Sequence, residues 1–171
     1  MTGDEGRVEL RLTVDGQQRV AAVDPRSLLL DALRDDFGAT APKAGCRTGD
    51  CGACTVRVDG AIAKSCIRLA VAEDGSDVRT IASMADGDRL TPLQQAFWDL
   101  NAFQCGFCLS GMLLAGEDLL HRIPSPTDAQ IREAISGNLC RCTGYDSIVA
   151  AIRSCAQPVA PSSGSSRAGE G

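Results

Sequence analysis

Alternation of apolar and polar residues dominates the start of the chain. From Val8 to Val14 every second residue is apolar, which predicts a strand with one buried face. Asp15-Gly16 is a hairpin turn signal, and residues 18–23 return as a second strand. Leucines at helical spacing then predict a short helix over residues 27–37. Gly38 is expected to close this helix, because glycine readily adopts the left-handed conformation found at helix ends.

A second hairpin follows a glycine-rich segment without periodicity, residues 43–54. Its predicted strands cover residues 55–58 and 61–66, joined by an Asp59-Gly60 turn. Residues 78–81 can add one further strand. Hairpins around one helix give an α+β unit that ends near residue 81.

The spacing of apolar residues becomes helical after residue 90. Thr91 and Pro92 are residue types favoured at an N-cap and at the first helical position. Thr127 and Gln130 have the spacing of a capping box, in which each side chain bonds the other residue's backbone. Helices are therefore predicted over residues 91–102, 109–121, 127–136 and 145–155.

Changes in composition divide the chain into two folded parts. Residues 82–90 are rich in small and polar residues, and we expect them to be a linker. A Pro/Ser/Gly-rich tail at residues 158–171 is expected to be disordered. The prediction is a first domain at residues 1–81 and a helical domain at residues 91–157.

Charge and cysteine content narrow the function. The chain has a formal net charge of −5, which argues against nucleic-acid binding because that requires a basic surface. No segment is long and apolar enough to span a membrane, and no export signal is recognised, so we expect a cytoplasmic location. Nine cysteines in such a compartment favour metal ligation over disulfides.

Four cysteines form a first candidate metal site: Cys46, Cys51, Cys54 and Cys66. The first three have the C-x4-C-x2-C spacing of plant-type [2Fe–2S] ferredoxins. Glycines at 45, 49 and 52 allow the positive φ angles and close N–H···S contacts that a loop around a cluster requires. The alternative is a zinc site, although zinc favours two separated C-x2-C pairs.

The other four candidate ligands are Cys105, Cys108, Cys140 and Cys142. Two cysteines one residue apart cannot easily close a relaxed disulfide on each other, but both can bind one metal centre. Both pairs precede predicted helices, whose N-terminal N–H groups favour an anionic cluster. Four thiolates also suit structural zinc, so spacing alone leaves both metals open. The ninth cysteine, Cys155, is expected to be a buried thiol without a ligand role.

These motifs resemble the small iron–sulfur subunit of the molybdenum hydroxylase family, which includes xanthine dehydrogenase, aldehyde oxidoreductase and carbon monoxide dehydrogenase. Leu109-Ser110 departs from the family pattern, which usually has Thr-Pro there, without touching a candidate ligand. The resemblance covers residues 7–156 and is carried by Cys51-Gly52-Ala53-Cys54, Gln104-Cys105-Gly106-Phe107-Cys108 and Gly137-Asn138-Leu139-Cys140-Arg141-Cys142-Thr143-Gly144-Tyr145.

The resemblance implies an N-terminal β-grasp, plant-type ferredoxin-like domain and an all-α four-helix domain, each with one [2Fe–2S] cluster. It implies that the helical-domain cluster lies beside molybdopterin on a large partner subunit. The ferredoxin-type cluster would lie towards FAD on a medium subunit, in a heterotrimer or a dimer of heterotrimers. By matched position, Gln104 and Cys142 approach the pterin, so that Cys142 is both a ligand and the contact through which electrons arrive.

Three functions are compatible with these patterns. The first is an electron-transfer subunit of a molybdenum hydroxylase, with no substrate site of its own. The second is a free-standing two-cluster ferredoxin that shuttles between enzymes. The third is a zinc-stabilised binding module without a redox role. For the first, the substrate of the complex is open among carbon monoxide, a purine, an aldehyde and an N-heterocycle.

Overall fold

The computed structural model describes residues 6–157. The tail that we predict to be disordered, residues 158–171, and the first five residues lie outside this range. None of the helices within it is long and apolar enough to cross a membrane. The elements are β1 (Val8–Val14), β2 (Gln17–Val23), α1 (Leu29–Asp31), β3 (Thr55–Val58), β4 (Ala61–Lys64), β5 (Asp77–Arg79), α2 (Pro92–Asp99), α3 (Leu109–Arg122), α4 (Asp128–Ile135) and α5 (Asp146–Ser154).

The five strands form one mixed sheet in the order β2-β1-β5-β3-β4. β1 pairs antiparallel with β2 and parallel with β5, while β3 pairs antiparallel with β4 and with β5. Leu10, Leu12 and Val14 on β1 are buried, and Glu9 and Arg11 between them are exposed. Alternation of apolar and polar residues therefore predicted this strand correctly.

The helix predicted over residues 27–37 is wrong in its start and in part of its type. Leu28 is extended and forms an isolated β-bridge with Leu69, which follows β4. α1 therefore begins at Leu29, two residues after the predicted start. After α1 the chain continues as a π-helix over Ala32–Asp36, and the Phe37 N–H donates to the carbonyl oxygen five residues earlier at 2.9 Å. Gly38 then takes a φ of +70°, the left-handed conformation expected of it.

Two strand ends also differ from the predictions. β4 ends at Lys64 and not at residue 66, because Ser65–Ile67 form a 3-10 turn that buries Cys66. β5 lies at Asp77–Arg79 and does not reach residue 81, since another 3-10 turn begins there.

α2 and α4 begin at the positions that their capping residues indicate. Thr91 and Gln94 form a capping box at the start of α2, and Thr127 and Gln130 form one at α4. α2 packs on α3 and α5, and α4 packs on α3 and α5. The core between these helices includes Phe97, Met112, Leu119, Ile131, Ile135, Ile148 and Ile152. A separate core under the sheet includes Leu10, Leu12, Val14, Leu29, Leu33, Val56 and Val78.

The sheet half and the helical half are in direct contact. The predicted linker is partly packed, because Met84 lies against the helical core. Arg57 on β3 forms ion pairs with Glu117 and Asp118 on α3 at 3.2 and 3.1 Å, and its side chain is only 17% exposed. This contact joins the sheet half to the helical half.

Candidate functional site

The first cysteine set lies on the loop between α1 and β3, with one member after β4. Cys46 is exposed, whereas Cys54 and Cys66 are buried. The Cys51 N–H donates to Cys46 Sγ at 3.3 Å, and the Thr48 N–H donates to the same sulfur at 3.4 Å. Hydrogen bonds from Thr48 and from the Cys51 backbone lower the pKa of the Cys46 thiol to about 6. The same N–H donors can stabilise the negative charge of a cluster.

Glycines shape this loop for two different reasons. Gly49 and Gly52 have φ angles of +87° and +73°, in the left-handed region that favours glycine. At Gly52 a side chain also has no space, because its Cβ would lie 2.2 Å from Asn138 Oδ1. At Gly45 space alone decides, since a Cβ there would lie 2.6 Å from Cys51 Sγ.

The second cysteine set joins the start of α3 to the segment before α5. The sulfur atoms of Cys105 and Cys142 are 3.6 Å apart, far longer than the bond of about 2.05 Å in a disulfide. Two thiolates on one tetrahedral metal, each about 2.3 Å from it, lie about 3.8 Å apart. Cys108 and Cys140 are in side-chain hydrogen-bond contact, and burial raises the pKa of Cys108 to about 12.

The thiols of both sets therefore group two by two. Cys46 and Cys51 exchange N–H···S bonds. Cys54 and Cys66 are in side-chain contact, and burial raises the pKa of Cys66 to about 11. Within residues 6–157 no three His, Cys, Asp or Glu side chains are placed to hold a single metal ion. Two pairs of thiols at each site suit a centre with two metal ions.

Tyr145 holds the second loop in place. Its hydroxyl accepts a hydrogen bond from the Cys140 N–H at 2.8 Å and donates to the Asn138 carbonyl oxygen at 3.3 Å. Its φ of +73° is unusual for a tyrosine. Thr143 Oγ1 donates to Cys140 Sγ at 3.2 Å. The sequence motif contained these residues, but only the structure shows what they contact.

Gln104 and Cys142 lie together at an exposed edge of the second site. The Gln104 side-chain amide donates to the Cys142 carbonyl oxygen at 3.0 Å. Exposed apolar side chains belong to the same loops or their neighbours: Trp98, Phe107 and Leu139. The structure thus brings together the two residues that the resemblance assigns to the pterin side.

The two cysteine sets are linked directly through the backbone. The Leu139 N–H donates to the Cys51 carbonyl oxygen at 2.8 Å. Gly111 on α3 allows this approach, because a Cβ there would lie 2.2 Å from the Gly52 carbonyl oxygen. Asn138, 3% exposed, accepts from Thr55 Oγ1 at 3.3 Å. The sequence alone assigned Asn138 no role, although a polar residue so close to Cys140 could have marked it as a contact of the ligand loops.

Cys155 lies at the end of α5, in a cleft with Met84 and His121 and none of the other eight cysteines. Burial raises the pKa of its thiol. The thiol is only half-buried, not buried as we expected, and its lack of a ligand role stays a prediction.

Comparison with known proteins identifies both halves. The family described as "2Fe-2S iron-sulfur cluster binding domain" matches residues 12–82, and that described as "[2Fe-2S] binding domain" matches residues 80–153. The nicotine 6-hydroxylase small subunit of Paenarthrobacter nicotinovorans is 50% identical over 146 residues, which cover 85% of this chain and 88% of that one. The chain belongs to the family of small iron–sulfur subunits of molybdenum hydroxylases.

Solved structures agree with this family. Quinoline 2-oxidoreductase from Pseudomonas putida 86 matches with a TM-score of 0.86 and 43% identity, over 89% of this chain and 94% of that one. The aldehyde oxidoreductase from Desulfovibrio desulfuricans ATCC 27774 matches with a TM-score of 0.82 and 36% identity. That match covers 86% of this chain but 17% of the other, where the same fold is one part of a longer polypeptide.

This iron–sulfur subunit therefore has an α+β fold with two [2Fe–2S]-binding domains. It transfers electrons as part of a multi-subunit oxidoreductase, which replaces the free-standing shuttle and the zinc module as explanations.

Proposed function

We propose that this subunit carries electrons from molybdopterin on a large partner subunit to FAD on a medium partner subunit. When bound, its two [2Fe–2S] clusters supply one-electron oxidation and reduction. The proposed order is the helical-domain cluster first and the ferredoxin-type cluster second. The main support for transfer between the two clusters is the direct backbone contact between the cysteine sets, the Leu139 N–H to Cys51 carbonyl hydrogen bond at 2.8 Å.

The proposal assigns four thiolates to each cluster and two thiolates to each iron. It is supported by the pairing of the sulfurs and by the N–H donors around Cys46. The pairs are Cys46 with Cys51, Cys54 with Cys66, Cys105 with Cys142, and Cys108 with Cys140.

The backbone contact gives a short route between the clusters. Leu139 is bonded covalently to Cys140, and its N–H reaches the Cys51 carbonyl oxygen. The route from one ligand to the other therefore crosses a single hydrogen bond. Electron transfer weakens steeply with distance, so a short bonded route favours it. Close packing of Gly52 against Asn138 keeps the loops at this separation.

The two ends of this route have different exposed surfaces. Gln104 and Cys142 lie at one end, and exposed Trp98 packs against Phe103, the residue before Gln104. Cys46 lies at the other end, and exposed Ile67 contacts its loop at Gly49. Apolar surface of this kind is typical of permanent subunit contacts. The proposal is that the first surface docks the large subunit and the second faces the medium subunit, in a heterotrimer or a dimer of heterotrimers.

The proposal also includes the finer fold and location. We describe residues 1–81 as a β-grasp ferredoxin-like domain and residues 91–157 as a four-helix domain, joined by residues 82–90. The sheet order and the two separate cores support this division. The nine cysteines, all of them unbridged, support a cytoplasmic location.

Co-purification from the native host tests this proposal. An affinity tag on this chain should retain a molybdenum-containing chain and a flavin-containing chain in equal amounts, even at high salt, because large apolar contacts are not weakened by salt screening. Molybdenum analysis and flavin fluorescence measure the two partners. A monomeric chain that brings neither molybdenum nor flavin would contradict the proposal.

A further inference from the structure

Lys64 is a cationic side chain that contacts residues of both cysteine loops. It is the last residue of β4, two positions before Cys66. The strand register places it opposite Thr55, which directly follows Cys54. Thr55 and Lys64 thus lie one and two positions, respectively, from proposed ligands of the ferredoxin-type cluster.

The Lys64 ammonium reaches across to the other loop. Its Nζ donates to the Gly137 carbonyl oxygen at 2.8 Å, to Thr55 Oγ1 at 3.1 Å and to Asn138 Oδ1 at 3.4 Å. Gly137 and Asn138 lead directly into the second cysteine set. A positive charge is therefore fixed at the contact between the two loops.

This cation has no carboxylate partner among residues 6–157, where none of the ion pairs involves Lys64. Its three hydrogen-bond acceptors are all neutral oxygens. Half-burying an ammonium without a counter-charge is unfavourable, so a nearby negative group is expected to compensate it. Burial lowers the pKa of Lys64, and the negative charge of the first cysteine set raises it.

We propose that the Lys64 ammonium raises the reduction potential of the ferredoxin-type cluster relative to the helical-domain cluster, and so favours electron transfer towards the exit side. This inference rests on the proposed function. The step moves one electron from the helical-domain cluster to the ferredoxin-type cluster, and no proton moves. The electron comes from the molybdenum centre and leaves to the flavin.

The direction of the effect follows from charge. Reduction adds one negative charge to a cluster, and a nearby fixed cation stabilises the reduced state more than the oxidised state. Lys64 lies two positions before Cys66 and bonds Thr55, which directly follows Cys54. Its contacts with the other loop, Gly137 and Asn138, are further along the chain from the nearest ligand there, so the effect is larger at the ferredoxin-type cluster. Lys64 does not bind iron; its charge acts on the cluster from outside the four ligands.

Redox titration of the intact complex, followed by electron paramagnetic resonance, tests this role. Lys64→Met removes the charge, Lys64→Gln removes the charge but keeps a donor for the Gly137 carbonyl, and Lys64→Arg keeps the charge. Arg26→Met is the matched control, because it removes a cation whose side chain is 88% exposed. Cys46→Ser and Cys142→Ser assign each signal to its cluster.

In the Met and Gln variants we expect the equilibrium constant for electron sharing to shift about tenfold towards the helical-domain cluster. For a one-electron couple this is a relative potential change of about 59 mV. Lys64→Arg should retain most of the wild-type difference, and Arg26→Met all of it.

Two clusters with unchanged relative potentials in Lys64→Gln would overturn the inference, as would equal shifts of both clusters. Lys64→Gln carries the test even if Lys64→Met loses a cluster. A wild-type complex without two [2Fe–2S] signals would instead overturn the proposed function, so the two failures are distinguishable.

Discussion

The two cysteine loops are built in different ways. The ferredoxin-type site comes mostly from one continuous segment, residues 45–54, and left-handed glycines and N–H···S bonds shape it. The helical-domain site joins Cys105 and Cys142, which are 37 positions apart, and Tyr145 holds one side of it. Local sequence therefore specifies the first loop, whereas tertiary packing assembles the second.

The two sites also differ in what they expose. The first set exposes Cys46, and the second exposes both Cys105 and Cys142. The second site is thus the more open of the two, beside Gln104. In the proposed function electrons enter at this open site, and the proposed effect of Lys64 on the other cluster sets the direction of transfer.

Substituting a ligand should have the largest effect and should separate the two sites. Cys142→Ser is expected to remove the helical-domain cluster, leave the ferredoxin-type cluster and block electron delivery, because each set binds its cluster independently. Iron should fall by about half, and one of two paramagnetic signals should disappear. Cys155→Ser is the control and should keep both signals; if it bleached a cluster, the ligand assignment would be wrong.

Filling the contact between the loops should affect both sites. Gly52→Ala is expected to cost about 2–4 kcal/mol, from left-handed backbone strain and from overpacking against Asn138. Gly60→Ala is the control, since Gly60 also has a positive φ, +84°, but no atom within 4 Å of a Cβ. It should cost about 1 kcal/mol. Thermal unfolding followed by loss of cluster absorbance measures the difference, and equal midpoints in the two variants would refute the packing argument.

The sequence predicted those features that local signals determine. The bounds of β1 followed from alternation, and the starts of α2 and α4 followed from Thr91 and Thr127. The start of the helix after β2 was wrong because Leu28 pairs with distant Leu69 in a bridge that no local pattern reveals.

The candidate site could likewise be predicted only in part. Spacing and resemblance found the eight candidate ligands, but spacing did not show how the sulfurs pair. The contacts of Asn138 with Gly52 and of Lys64 with Gly137 join segments from different halves of the chain. Such contacts depend on how α3 packs against β3, which single-sequence patterns do not encode.

A smaller change should affect the second loop alone. Tyr145→Phe removes the hydroxyl that bonds the Cys140 N–H and the Asn138 carbonyl oxygen. The expected cost is about 1 kcal/mol, roughly a fivefold change in an equilibrium constant. The helical-domain signal should therefore be lost at lower chelator or denaturant concentration, while the ferredoxin-type signal stays as in the wild type. Loss of both signals together would show that the loops are not independent.

The smallest effect is expected at the open edge. Gln104→Ala removes one exposed hydrogen bond to the Cys142 carbonyl oxygen, worth about 1 kcal/mol or less. Both clusters should remain, and only the rate of electron transfer from molybdenum should fall, by several-fold. Rapid-mixing absorbance of the complex measures this rate. Gln95→Ala, which removes an exposed bond to Asp99 on α2, should leave the rate unchanged, and a lost cluster in Gln104→Ala would refute the assigned role.

Metal analysis of the intact complex can show whether eight thiolates divide four and four between two clusters. Iron and acid-labile sulfide are measured per chain, and spectra of the dithionite-reduced complex are recorded at low temperature. We predict about four iron atoms per chain and two distinct rhombic signals. A single signal with about two irons, or a colourless chain with stoichiometric zinc, would contradict the account.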